Sequence, residues 1–213
     1  MITDRIEKSR IIPVIALEKA EDAIPLCKAL GAGGLHVAEI TFRTAAARDA
    51  LKIVSQEFPE FALGAGTVTT LEEVETAVNC GAQFAVAPGL NPRVVKKAQE
   101  LGLPFFPGVC TPTDIEMALE CGCQTLKYFP AGEMGGISML KALYGPYRHK
   151  GVRFIPTGGV SVTNLADYIK EPSVVAVGGT WIASAGLIKA KNWDEISNLA
   201  RSAVEIVRSA IVS

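Results

Sequence analysis

A pattern that repeats down the chain constrains its fold more than any single residue does. An amphipathic segment ends at a glycine, a short strand rich in Val, Ile, Phe and Leu follows, and a Gly/Pro-rich turn leads to the next helix start. The closing pairs are Leu30-Gly31, Cys80-Gly81, Leu101-Gly102, Cys121-Gly122 and Lys150-Gly151, where glycine suits the left-handed residue that ends a helix. The middle repeats lie about twenty residues apart, the length of one compact strand-and-helix unit. Strands read this way number eight: near Ile11 to Ala16, Leu35 to Thr41, Ala62 to Gly64, Phe84 to Ala87, Phe105 to Phe106, Thr125 to Phe129, Arg153 to Pro156, and Val174 to Val177.

Helix starts fit the same division. Thr70-Leu71-Glu72-Glu73 and Thr113-Asp114-Ile115-Glu116 read as capping boxes, and Asn91-Pro92 places a cap before proline at the first helical position. Eight strands alternating with helices, most of them apolar on both faces, predict an α/β fold of the (β/α)8 or TIM-barrel kind. One domain, 1–213, then covers the chain, with a short N-terminal helix before the first strand. A doubly wound open sheet is the alternative. Its dinucleotide-binding form has little support, because Ala16-Leu17-Glu18-Lys19-Ala20 stands where Gly-x-Gly-x-x-Gly would follow the first strand.

Composition narrows the function classes. With 213 residues, 49% of them hydrophobic, the chain can bury one sizeable core. Twenty-one basic and twenty-two acidic residues leave a net charge of -1 with no run of either sign, which argues against a nucleic-acid partner. The start, Met1-Ile2-Thr3-Asp4-Arg5-Ile6-Glu7-Lys8, is charged, and no apolar run is long enough to span a bilayer, so no membrane partner is expected and a cytoplasmic location is. Five cysteines, an odd number, favour reduced thiols. Cys121-x-Cys123 lacks partners at zinc-site spacing and the chain has two histidines, His36 and His149. The pair therefore reads as small buried hydrophobes, His36 as facing a covering layer, and neither a metal nor a cofactor is expected.

Lys127 is the residue that most suggests chemistry. It sits in Thr125-Leu126-Lys127-Tyr128-Phe129-Pro130, an apolar run with no acid beside it. An ammonium taken out of water must find a carboxylate or give up its proton, and a neutral amine is a nucleophile. In a barrel the chemistry gathers at the carboxyl ends of the strands. Strand two ends Ala38-Glu39-Ile40-Thr41-Phe42-Arg43, whose period of two puts Glu39, Thr41 and Arg43 on one side if the strand continues that far. Strand three ends at Gly64-Ala65-Gly66-Thr67, strand four at Ala87-Pro88-Gly89, and strand six brings Phe129 in phase with Lys127. The last two turns, Thr157-Gly158-Gly159 and Gly178-Gly179-Thr180, carry paired glycines whose N–H groups can approach a phosphate. Ser184, in Ala183-Ser184-Ala185, reads as a small helix residue. Glu39 beside Lys127 has two readings, a buried salt bridge or a catalytic pair. With Arg43 as a clamp for a carboxylate, the second describes an amine meeting a 2-oxo acid.

Two segments carry a family resemblance. Gly34-Leu35-His36-Val37-Ala38-Glu39-Ile40-Thr41-Phe42-Arg43 and Gly122-Cys123-Gln124-Thr125-Leu126-Lys127-Tyr128-Phe129-Pro130-Ala131 closely resemble the two signatures of the 2-keto-3-deoxy-6-phosphogluconate (KDPG) aldolases, which also act on 4-hydroxy-2-oxoglutarate (KHG). The likeness runs from the first strand to Thr180. It implies a (β/α)8 barrel, a homotrimer, and a class I mechanism through a lysine Schiff base without metal. By that resemblance Lys127 forms the imine, Glu39 shuttles protons, Arg43 and Thr67 hold the pyruvate carboxylate, and Pro88, Phe129 and Thr157 line the substrate pocket. Gly158, Gly159, Gly178, Gly179 and Thr180 make up the phosphate turns. Tyr128 departs from the Phe or Leu usual in the family and Thr180 from serine; Tyr128, out of phase with Lys127, is expected to have no catalytic consequence. The alternatives are a phosphogalactonate aldolase of the same chemistry, a phosphosugar isomerase or epimerase, and a non-catalytic phosphometabolite-binding protein.

Overall fold

The computed structural model describes residues 1–212; Ser213, the last residue of the expected 1–213 unit, lies outside the described residues. Helices and strands alternate except where the strand Phe105–Phe106 runs into Gly108–Val109 and the helix Ala185–Lys189 into Trp193–Val212. The order begins α1 (Ile2–Ser9), β1 (Ile11–Ile15), α2 (Ala23–Ala32), β2 (Val37–Thr41), α3 (Ala47–Glu57), β3 (Ala62–Gly66) and α4 (Leu71–Asn79). It continues β4 (Phe84–Val86), α5 (Pro92–Glu100), β5 (Phe105–Phe106), β6 (Gly108–Val109), α6 (Pro112–Glu120), β7 (Thr125–Tyr128) and α7 (Gly136–Tyr147). It ends with β8 (Arg153–Pro156), α8 (Leu165–Ile169), β9 (Val177–Gly179), α9 (Ala185–Lys189) and α10 (Trp193–Val212).

All the paired strands are parallel. They form a six-stranded sheet in the order β5-β4-β3-β2-β1-β9 and a three-stranded sheet, β6-β7-β8. The expected eight strands are thus nine segments in two arcs and not one closed ring of ladders. Pro107 accounts for one break: without an N–H it cannot continue the ladder, and it separates β5, paired with β4, from β6, paired with β7. Between β8 and β9 the contact is two isolated bridges, Phe154 with Val174 and Thr157 with Gly178. The last strand also begins later than Val174. Gly178 and Gly179 pair with Ile12 and Pro13 of β1, so they are strand residues and not turn residues.

Local punctuation is mostly as read. Gly81, Gly102, Gly122 and Gly151 have φ of 85°, 68°, 76° and 72°. Gly31 does not end its helix: α2 runs through it to Ala32, and Gly34 makes the left-handed turn with φ 88°. Thr70 and Glu73 form the expected capping box, and Asn91 caps α5. The second box is Thr111 with Asp114, two residues earlier than Thr113, because Pro112 takes the first helical position and the cap must precede it. Ser184, read as a small helix residue, instead precedes a helix as its cap with extended backbone, accepting from Leu187 N.

Strands buried on both faces divide the apolar residues into two clusters. The inner one includes Ile12, Val37, Phe84, Val86, Phe106 and Ile155, with Ile6 of α1 packed into it. The outer one lies between strands and helices and holds Leu126 and Tyr128. His36, expected to face a covering layer, is exposed, with its ring 5.4 Å from that of Phe61. All five cysteines are free. Burial pushes the Cys123 thiol up to about 11, and burial followed by the neighbouring Asp114 carboxylate raises that of Cys110. Among the described residues no helix is long and apolar enough to cross a membrane.

Candidate active site

Period two on β7 sends Thr125 and Lys127 to one side and Leu126 and Tyr128 to the other, into the outer cluster. Lys127 is only 5% exposed and Glu39 2%. Lys127 Nζ donates to Glu39 Oε1 at 3.2 Å. The two are 88 positions apart in the chain, so the barrel-like arrangement of β2 and β7, not local sequence, brings them together. The Phe129 ring centroid lies 5.5 Å from the same nitrogen, giving the amine an aromatic wall.

A small side chain at one position makes this pair possible. Gly66 ends β3 opposite Thr41. A Cβ built there would lie 2.3 Å from Glu39 Oε1 and 2.8 Å from its Cγ, so only glycine leaves the carboxylate its place. The next residue, Thr67, has φ 60°. A β-branched residue rarely adopts that conformation, and its occurrence at a cavity wall marks a backbone held by its surroundings.

Arg43 lies beyond the end of β2, in a turn and exposed, so the strand period does not carry it to the cavity as expected. Thr41 does. Its hydroxyl donates to Ile15 O at 3.0 Å and accepts from Arg43 Nε at 3.1 Å. The Nε is occupied, which leaves the two terminal nitrogens of the fork for an anion.

These residues line one cavity of roughly 110 Å³ at the carboxyl ends of the strands. Glu39, Arg43, Thr67, Pro88, Lys127, Phe129, Thr157, Gly158, Gly159, Gly179 and Thr180 all face it. Gly178 is the one expected site residue that does not. It lies in β9, and a Cβ there would be 2.3 Å from Thr157 Oγ1, so its role is to leave room for the Thr157 side chain. Val14 and Val160, not singled out from sequence, also line the cavity, as does Thr41, which the strand period placed beside Glu39. Val14 and Val160 carry no polar signal. Thr41 shares the phase of Glu39, and that phase was the available clue.

The cavity has two ends. Lys127, Glu39, Arg43 and Thr67 form one, with a cationic excess suited to a small carboxylate. Gly158 and Gly159, at φ of 85° and 74°, form the other with Gly179 and Thr180. Among the described residues no three His, Cys, Asp or Glu side chains converge as a metal set. The arrangement offers an amine, an adjoining acid/base, an anion clamp and a backbone anion cradle.

The family model described as KDPG and KHG aldolase matches residues 2–199. The 2-dehydro-3-deoxy-phosphogluconate aldolase of Haemophilus influenzae is 46% identical over 207 residues, covering 97% of each chain. Among solved structures, the KDPG aldolase of Legionella pneumophila, with pyruvate captured at low pH as a covalent carbinolamine intermediate, has a TM-score of 0.91 and 39% identity; the match covers 95% of this chain and 98% of that one. The Zymomonas mobilis enzyme with 3-phosphoglycerate has a TM-score of 0.88 and 36% identity, covering 98% of this chain and 97% of that one. With a family model spanning nearly its whole length and a relative this similar, the chain belongs to the KDPG and KHG aldolase family.

Proposed function

We infer that this protein is a class I aldolase that cleaves 2-keto-3-deoxy-6-phosphogluconate to pyruvate and glyceraldehyde 3-phosphate, and 4-hydroxy-2-oxoglutarate to pyruvate and glyoxylate. The observation that carries the reading is the buried Lys127–Glu39 contact at 3.2 Å in a cavity with Arg43 beside it. Glu39 takes a proton from the Lys127 ammonium, Nζ attacks the C2 ketone to give a carbinolamine, and Glu39 returns that proton to the C2 hydroxyl, which leaves as water to give a protonated imine. Arg43 and Thr67 hold the C1 carboxylate, which fixes C2 over the amine. Glu39, directly or through a water, takes the C4 hydroxyl proton. The C3–C4 electron pair then flows into the imine, the aldehyde leaves, and an enamine remains. Glu39 returns a proton to C3, and hydrolysis of the imine releases pyruvate and restores Lys127. The imine is the electron sink, so the scheme calls on no metal or cofactor. Gly158, Gly159, Gly179 and Thr180 receive the phosphate of the longer substrate.

The same reading extends to the fold and its setting. The two arcs form one (β/α)8 barrel in a single domain, 1–213. The lone residue Pro107 between β5 and β6 and the two bridges between β8 and β9 support that closure. A homotrimer in the cytoplasm is the expected setting on family resemblance.

The test is incubation with pyruvate followed by borohydride. A reduced pyruvyl group on Lys127, located by peptide mass spectrometry, is the expected result; a label on another lysine, or none, defeats the assignment and leaves the pair as a structural salt bridge. Gly66→Ala adds a check on geometry. By displacing the Glu39 carboxylate it should lower kcat roughly 10- to 100-fold, the scale of a misplacement of about 1 Å. Labelling of Lys127 should survive in this variant, and loss of labelling together with turnover would mean that Gly66 supports folding and not the carboxylate.

A further inference from the structure

Tyr128 carries a hydroxyl that the chemistry above leaves unused. Its ring is fully buried in the outer cluster and meets Phe154 edge-on at 6.4 Å. The hydroxyl donates to Met134 O at 2.7 Å. Burial pushes the phenol up to about 12, so it remains a donor at neutral pH. Met134 belongs to the loop between β7 and α7, which is tied to the turn after β8 by two backbone bonds. Ala131 N donates to Thr157 O at 2.8 Å and Gly132 N to Gly158 O at 2.9 Å. The two backbones also touch: a Cβ on Gly132 would lie 3.0 Å from Gly159 Cα.

This contact determines which way the phosphate turn faces. In a trans peptide a carbonyl and the following N–H point in opposite directions. The Gly158 carbonyl is aimed at Gly132, so the Gly159 N–H is turned away from the loop, and no acceptor among the described residues takes it. A free N–H beside a cavity is the kind of donor an anion needs. Its orientation is set from behind, by the loop that Tyr128 holds.

We propose that Tyr128 is a positioning residue for the phosphate end of the site: through Met134 it holds the β7–α7 loop as the backing of Gly158-Gly159, and so sets the preference for phosphorylated over unphosphorylated substrate. The proposal rests on the aldolase reading above and gives a role in affinity to a departure expected to have no catalytic consequence. Tyr128 acts on substrate affinity, not on the amine.

Steady-state cleavage by Tyr128→Phe of 2-keto-3-deoxy-6-phosphogluconate and of 4-hydroxy-2-oxoglutarate tests it. KM for the phosphorylated substrate should rise about five- to tenfold, the scale of one buried hydrogen bond lost. KM for the unphosphorylated substrate, kcat on both, and borohydride capture of pyruvate should stay within about twofold, since none of them depends on that bond. Gly132→Ala, which presses on Gly159 directly, should give the same one-sided loss and serves if Tyr128→Phe folds poorly. An equal loss on both substrates, or no loss on either, in folded protein overturns the proposal. If the wild type cleaves neither substrate, the aldolase reading falls and the proposal with it; if the wild type cleaves both and only the ratio fails to move, the role of Tyr128 alone is lost.

Discussion

Lys127→Met is expected to lower cleavage of both substrates by at least about 10⁴-fold and to abolish pyruvate capture, because removing a covalent nucleophile removes the pathway and not merely one contact within it. Retained cleavage would sink the mechanism. The same change has a thermodynamic signature. Breaking a buried ion pair by deleting one partner costs about 3–5 kcal/mol when the remaining charge cannot reach water. Glu39, 2% exposed, is left in that position. The double variant Lys127→Met with Glu39→Gln has no stranded charge and should be more stable than Lys127→Met alone, as read by thermal unfolding. A double variant less stable than the single one would mean that the pair is not electrostatically coupled in the folded protein.

Glu39→Gln is expected to separate imine formation from proton transfer. The amide fills nearly the same space next to Lys127 but cannot accept and return a proton. Cleavage should fall roughly 10²- to 10⁴-fold, the range for loss of a general acid/base. Exchange of the pyruvate methyl protons with deuterated solvent, which reads the enamine step directly, should fall in parallel. Borohydride should still label Lys127 at long incubation, since the nucleophile is intact. Unchanged exchange in this variant would assign the proton shuttle to another group, and failure to label would show that Glu39 is needed to keep the amine in place.

Much of the site was legible because its signals are local and period-based. Lys127 stands out in an apolar strand where a charge has no neighbour to pair with, and Glu39 is recognisable by its phase on β2. The turn at Gly158-Gly159 could be read from the chain for the same reason, whereas Gly178 and Gly179 turned out to lie within a strand. What was not legible depends on contacts between distant segments. Gly66 and Gly178 look alike in sequence, yet one leaves space for the Glu39 carboxylate and the other for the Thr157 side chain. Arg43 reaches the cavity through a bond to Thr41, and the strand that was expected to carry it has already ended. The strand read as Phe105 to Phe106 resumes beyond Pro107 as Gly108–Val109, a segment too short for apolar patterning to register. Tyr128 was dismissed on phase, correctly as to direction, but nothing in the sequence indicates that its hydroxyl reaches Met134.

Ile6, 1% exposed, fills space among the inner side chains, and the cavity beside the amine is lined by residues at the carboxyl ends of the strands. On the imine mechanism inferred above, the aldehyde is free once the C3–C4 bond breaks, while the oxo acid is still bonded to Lys127. Departure is therefore sequential, aldehyde first and oxo acid last, and in the synthetic direction the oxo acid must load before its partner.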